Sequence, residues 1–407
     1  MVFDRTISRV AAEMARTFRS VVVCGPRQVG KTWVLTKLTK ELGGYETISF
    51  DDIELREQAR SDPKLFLQLH PAPIFLDEVQ CVPELFPAMK SILDRNQERG
   101  QYLMTGSQQF KMIKGAQESL AGRIGVLRLY GLSKAEIEGR KSKPFIPSLA
   151  PKDWAERKTW DVWAAYAAIV KGSYPECHAR PDMDVRRYFQ SYVETYIERD
   201  VKDMVNIANV GLFRRFIKVC AARTGQLLNY ADLARDAGIS TPTARTWLSL
   251  LEISGLIVIL YPYYSNLIKR ATKSPKLYFT DTGLCSHLLG INSAQAAIDS
   301  PLSGALLETY VVMEICKSHW NAGSDANFWF FRDADGHEVD LLIDYEGALH
   351  PIEVKRAASV RAADINRNMD VLRKSCDARL GLGAVVFIGS TLGALDSETA
   401  LIPVGAL

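Results

Sequence analysis

Residues 25 to 32 read Gly-Pro-Arg-Gln-Val-Gly-Lys-Thr, directly after the apolar run Val21-Val22-Val23-Cys24 and directly before a helical pattern opening at Trp33. Strand, glycine turn and helix in that order suit phosphate binding. Gly25 and Gly30 let the backbone curl so that successive N–H groups point at an anion, and the helix N-terminus adds its dipole. Lys31 is placed to reach the β and γ oxygens and Thr32 to ligate Mg²⁺. All eight residues, Gly25, Pro26, Arg27, Gln28, Val29, Gly30, Lys31 and Thr32, are therefore assigned to ATP. A second motif, Pro73-Ile74-Phe75-Leu76-Asp77-Glu78, is an apolar strand ending in two acids. Asp77 is assigned to the metal and Glu78 to activation of water for hydrolysis.

Two further residues extend this chemistry. The strand Gln101–Thr105 runs into Gly106-Ser107-Gln108, where a polar side chain between the two motifs would sense the γ-phosphate. Ser107 is the first choice and Thr105 the second. Arg123 follows the small-residue loop Ser119-Leu120-Ala121-Gly122 and is a candidate to stabilise transition-state charge, in its own subunit or a neighbour's.

A separate constellation lies near the C-terminus. Asp340 in Glu338-Val339-Asp340-Leu341-Leu342-Ile343 and the pair Glu353 and Lys355 fall on adjacent strands, and residues two apart project from one face. Asp340 and Glu353 would hold Mg²⁺, Lys355 would orient or deprotonate water against a phosphodiester, and Glu308 would complete the site from a helix. The competing reading is a cross-strand salt bridge on a solvated sheet.

These groups need elements to carry them. Residues 1–135 alternate strand and helix as a P-loop α/β domain does, and 136–208 form a Pro- and Ser-punctuated linker and a helical connector. Residues 209–292 suggest a winged helix-turn-helix: a short helix at 229–237, a turn at Gly238, Ser240 as N-cap, and a second helix through Ser254. In that helix Ala244, Trp247, Leu248 and Leu251 make a buried face, leaving Thr243, Arg245, Thr246 and Ser249 for a nucleic-acid groove. A loop with Lys269, Arg270, Lys273 and Lys276 reads as a basic wing. Residues 293–407 form an α/β nuclease-like domain.

At 407 residues several domains are expected, and 47% hydrophobic with 24% charged residues is a globular balance. A net charge of +3 leaves any nucleic-acid case to local patches. Seven scattered cysteines without a Cys-x-x-Cys pair argue against zinc or a disulfide framework. With no targeting segment and no membrane-length apolar run, a cytoplasmic protein without membrane contact is expected.

The chain resembles bacterial and archaeal ATP-binding proteins that join an AAA-type P-loop ATPase to a C-terminal domain of unknown function. The likeness rests on residues 25–32, Phe75–Gln80, Thr105-Gly106-Ser107, Ser119–Arg123, Tyr196-Ile197-Glu198-Arg199-Asp200, Lys273-Ser274-Pro275-Lys276 with Asp281-Thr282-Gly283, and the acids at 338–340 and 353–355. Lys171-Gly172-Ser173-Tyr174-Pro175 departs from the Gly-Gly turn usual there. The C-terminal domain is similar to PD-(D/E)xK nucleases, with Glu308, Asp340, Glu353 and Lys355 at the four expected positions. The resemblance implies ATP and Mg²⁺ as cofactors. The motifs together point to a nucleic-acid partner, DNA favoured, with a protein partner or homo-oligomer also open. The alternative is an ATP-switched regulator or scaffold that cuts nothing.

Overall fold

The computed structural model describes residues 3–106, 120–150, 157–197, 210–263 and 274–407. Its first sheet consists of β1 (Ser20–Cys24), β2 (Glu46–Ser49), β3 (Ile74–Asp77), β4 (Tyr102–Gly106) and β5 (Ile124–Arg128), all parallel, in the order β2-β3-β4-β1-β5. Every residue of β1 is buried, which is why it reads as an unbroken apolar run. Because the strands are parallel, their C-terminal ends line one edge of the sheet. The loop at 25–30 leaves β1 on that edge, and the helix Lys31–Leu42 follows. Asp52 and Asp62 cap the next two helices by accepting backbone N–H groups, the second with Pro63 at its first position.

A connector follows, with helices Val162–Lys171, Pro175–Ala179 and Val185–Tyr192, the last continuing as a wider turn through Ile197. The helix Lys134–Ile137, with a capping box between Ser133 and Glu136, straddles the expected boundary at 135. Ser173 has its own task. Its N–H and hydroxyl both donate to Asp281 Oδ2, at 2.6 and 2.7 Å, while Asp281 Oδ1 caps the helix Thr282–Leu288. A Cβ at Gly172 would meet Asp281 at 2.6 Å, so the Lys171–Pro175 and Asp281–Gly283 segments interlock.

The third region has helices Val210–Ala221, Tyr230–Ala237 and Thr241–Ile253 and an antiparallel sheet of β6 (Gln226–Leu227), β7 (Ile257–Leu260) and β8 (Lys276–Phe279), with β8 central. Asn229 and Ser240 cap the second and third helices, and Gly238 between them is left-handed at φ 73°. The last region opens with the 20-residue helix Ser303–Ala322. An antiparallel meander of β9 (Asn327–Arg332), β10 (Glu338–Tyr345) and β11 (Ala348–Lys355) follows. The helix Ala362–Ser375 then crosses to β12 (Gly383–Phe387), parallel to β11, and β13 (Gly393–Ala394) and β14 (Thr399–Pro403) finish a six-stranded sheet.

Alternating side chains of the two large sheets divide the core into three. One face of the first sheet (Val21, Val23, Phe75, Leu103) and one face of the last (Leu341, Ile343, Ile352, Val386) contribute to a single apolar cluster that also takes in the helices between them. The opposite faces each close over their own smaller cluster. All seven cysteines are free thiols. Among the described residues no helix is long and apolar enough to cross a membrane.

One buried cation fixes the nucleotide edge of this frame. Arg5, 5% exposed, donates through Nη1 to Val29 O at 2.6 Å, through Nη2 to Tyr130 O at 2.8 Å, and through Nε to Glu136 Oε1 at 3.3 Å. It ties the 25–32 loop to the chain leaving β5. Replacing Arg5 by Ala strands a buried carboxylate and two carbonyls, so denaturant unfolding is expected to show a loss of about 3–5 kcal/mol. A loss below about 1 kcal/mol would contradict the clamp.

Candidate nucleotide site and acidic cluster

The 25–32 loop combines steric and polar constraints. Gly25 has φ 153°, and a Cβ there would lie 2.0 Å from Leu129 O, so the first glycine is required by the neighbouring backbone as well as by the curl. Gly30 and Gln28 are left-handed, at φ 93° and 60°. Lys31 is buried, and its Nζ donates to Gly25 O at 3.1 Å and Pro26 O at 2.8 Å. Burial pushes its amine down to about 8 from an ordinary 10.5, against the opposing pull of Glu78.

Thr32 Oγ1 donates to Asp77 Oδ1 at 2.9 Å, and Thr105 Oγ1 donates to the same oxygen. Thr105 also accepts the Glu78 N–H at 3.2 Å. β4 lies between β3 and β1, so Thr105 stands between the two acid and loop motifs, the place expected first for Ser107. Ser107 lies outside the described residues. Burial raises the Asp77 carboxyl, with the Thr105 and Thr32 hydroxyls opposing. The Thr32 hydroxyl and Asp77 carboxylate, adjacent oxygens facing the loop, fit a hard divalent cation. Glu78 sits beside them in a left-handed conformation (φ 55°, ψ 42°), a strained backbone for a glutamate, and Gln80 Nε2 donates to its Oε2.

Arg123 does not join this group. It precedes β5, so in a parallel sheet it lies at the end away from the loop, and its guanidinium pairs with Asp94 at 2.5 Å and donates to Ala121 O at 2.9 Å. The own-subunit role expected for it is corrected by that placement.

The connector does reach the loop. Tyr188 OH donates to Gln28 Oε1 at 2.7 Å, Gln28 Nε2 donates to Tyr196 OH at 2.9 Å, and Arg27 lies 5.5 Å over the Tyr196 ring. Tyr192 OH donates to Arg27 O at 3.4 Å and accepts from Tyr174 OH at 2.8 Å. Tyrosines at 188, 192 and 196 repeat every four residues, a one-face helical signal visible in the sequence but not used. Glu198, Arg199 and Asp200 lie outside the described residues.

In the C-terminal region Glu308, Asp340, Glu353 and Lys355 come together. Lys355 Nζ donates to Glu353 Oε2 at 2.9 Å and Asn368 donates to Glu353 Oε1 at 3.0 Å. Asp340 Oδ2 accepts the Val354 N–H at 2.8 Å. Burial, then the charge of Asp340, raises both Glu308 and Glu353, and burial raises Asp340 itself. The unexpected member is Lys276. It opens β8 and is buried, with Nζ 2.8 Å from Glu308 Oε1, in contact with Glu338, and 3.9 Å from Asp340 Oδ1. Burial opposes its charge, yet Glu308, Asp340 and Glu338 hold the amine well above its usual range. The assignment of Lys276 to a basic wing is thereby corrected, since it faces inward; Lys269, Arg270 and Lys273 lie outside the described residues.

Three family models match the chain: an AAA domain over residues 17–138, and domains of unknown function over 163–295 (DUF8612) and 303–407 (DUF4143). The AAA match and the loop support a P-loop ATPase domain. Uncharacterized protein Rv2008c of Mycobacterium tuberculosis and uncharacterized protein Mb2031c of Mycobacterium bovis are each 29% identical over 384 residues, 94% of this chain and 79% of theirs. Among solved structures, the Walker-type ATPase PABY2304 of Pyrococcus abyssi is 16% identical with a TM-score of 0.41, covering 70% of this chain and 96% of its own. The RuvB Holliday junction branch migration motor of Thermotoga maritima is 16% identical with a TM-score of 0.30, covering 63% and 89%.

The lowered Lys31 amine has a measurable consequence. Its folded value lies below the unfolded one, so charging it costs stability below about pH 8, and that cost fades as pH rises toward 10.5. Phosphate binds the charged form. ATP affinity measured by titration is therefore expected to fall about twofold from pH 7 to 8 and to approach a roughly tenfold fall per unit well above it. A flat profile to pH 9.5 contradicts this.

Proposed function

We propose that the chain is a Mg²⁺-dependent ATPase whose first domain acts as a switch for a C-terminal half that contacts nucleic acid, DNA favoured. The observation that carries the ATPase is the Thr32–Asp77–Thr105 hydroxyl–carboxylate set, placed between the phosphate loop and Glu78. The loop N–H groups and Lys31 bind and orient the triphosphate. Thr32 and Asp77 would hold the Mg²⁺, which draws charge from the phosphate oxygens. Glu78 would take the proton of the attacking water, with Gln80 and the Thr105 bond fixing its position. Arg123, just before the edge strand β5, is assigned to a neighbouring copy's nucleotide in a homo-oligomer.

Nucleic-acid contact is proposed for the helix Thr241–Ile253. Its buried residues include Ala244, Trp247, Leu248 and Leu251, and Arg245, Thr246 and Ser249 are exposed. The Arg245 guanidinium lies 4.0 Å over the Tyr230 ring, a stacking that presets it for phosphate or base edges. The three helices and small sheet are compatible with a winged helix, and the helix, meander, crossover helix and parallel strand of 303–387 with a PD-(D/E)xK arrangement.

A second reading, an ATP-switched regulator or scaffold that does not cut, is favoured by the presence of Lys276 among the acids. The two are separated by Mg²⁺-dependent cleavage of plasmid DNA: cleavage lost in Asp340→Ala and Lys355→Ala supports the nuclease, and no cleavage by the intact protein supports the regulator.

For the ATPase, Lys31→Ala is expected to abolish ATP binding, and Glu78→Gln to bind ATP while turning it over at least on the order of a hundredfold more slowly. Normal turnover by Glu78→Gln would remove Glu78 from its role. Stimulation of turnover by DNA supports the nucleic-acid partner, and its absence with any nucleic acid counts against it.

A further inference from the structure

The acids of the C-terminal cluster are buried, and buried carboxylates demand a cation. A hydrolytic centre would meet that demand with a divalent metal. Here it is met from within the chain. Lys276 Nζ donates to Glu308 at 2.8 Å, contacts Glu338, and lies at an ion-pair distance of 3.9 Å from Asp340 Oδ1. Tyr278, two residues on and on the same face of β8, donates to the same Glu308 oxygen at 2.6 Å. Arg332 takes the other oxygen of Glu338, and Lys355 with Asn368 takes both oxygens of Glu353.

Lys276 is not a side chain free to swing aside. It sits on the central strand of its sheet, paired with Leu227 on one side and Leu260 on the other. Its ammonium lies 5.5 Å from the Phe330 ring. The adjoining backbone is also stitched across: Tyr263 N–H donates to Phe330 O at 2.6 Å, and Phe330 N–H donates to Tyr261 O at 3.2 Å. A Mg²⁺ ion requires the oxygens of these acids at close range, and a buried ammonium bonded to Glu308, touching Glu338 and 3.9 Å from Asp340 repels it.

We infer that Lys276 is the resident cation of this cluster and takes the place a divalent metal would need. The cluster then works as an electrostatic clasp between the β6–β8 sheet and the C-terminal sheet, and in the folded chain it does not bind Mg²⁺. The residues do not fit the metal centre that the arrangement of acids suggests.

Metal occupancy tests this independently of any cleavage. Mn²⁺ binding to the full chain is read by electron paramagnetic resonance for the native protein, Asp340→Asn, Lys276→Gln and the double variant. The native protein and Asp340→Asn are expected to bind Mn²⁺ identically, and Lys276→Gln to gain one ion that Asp340→Asn removes. The inference is overturned if the native protein binds an ion that Asp340→Asn abolishes, or if folded Lys276→Gln gains none. Should Lys276→Gln not fold, the comparison of the native protein with Asp340→Asn decides alone.

Discussion

The helix Ser303–Ala322 is buried along most of its length, and the rest of the molecule is arranged around that burial. Such a helix cannot be covered by one layer, so it needs partners on every side. Near its start, Glu308 enters the acidic cluster. Further along, Glu314 accepts the Lys134 N–H at 2.7 Å, Lys317 donates to Leu132 O at 2.8 Å, and His319 meets Phe145 O at 2.8 Å. The ten residues from Glu308 to Lys317 span roughly 14 Å of stiff rod. One end of that rod is set by the clasp and the other by the chain leaving the ATPase sheet.

The nucleotide edge is held differently, by contacts that a phosphate could rearrange. Arg5 secures the back of the loop at Val29, while its front, Arg27 and Gln28, is held by the tyrosines of the connector. Gln28 is held in a left-handed backbone by two hydroxyls. The connector is in turn fastened through Ser173 to Asp281, at the start of the helix that follows β8. A path of packed polar contacts thus runs from the loop to the strand that carries Lys276.

What the sequence made readable was chemistry whose partners are near in the chain or bound to a recurrent strand–loop–helix unit. The loop, Asp77 and the third-helix cap at Ser240 belong to this class. Asp340, Glu353 and Lys355 follow the same logic, because strand period and order place them on β10 and β11, while Glu308 comes from the helix Ser303–Ala322. Thr105 was ranked behind Ser107 because residue order does not say which side chain turns toward Asp77. Of the two roles open to Arg123, the own-subunit one fails on the sheet's direction: a residue preceding a parallel strand sits at the far end from the loops. Arg5 was not singled out and Lys276 was read as a wing residue for a deeper reason. Their partners lie 131 and 32 residues away, and nothing local distinguishes a lysine that enters a core from one that leaves it.

The apolar cluster that runs from Ile7 to Leu407 draws on both large sheets and on the helices between them. Cooperativity follows from continuity of that kind: no segment can lose its structure without exposing the buried face of another. Heating such a molecule should melt it as a single calorimetric unit, in contrast to the separate transitions of modules strung on linkers.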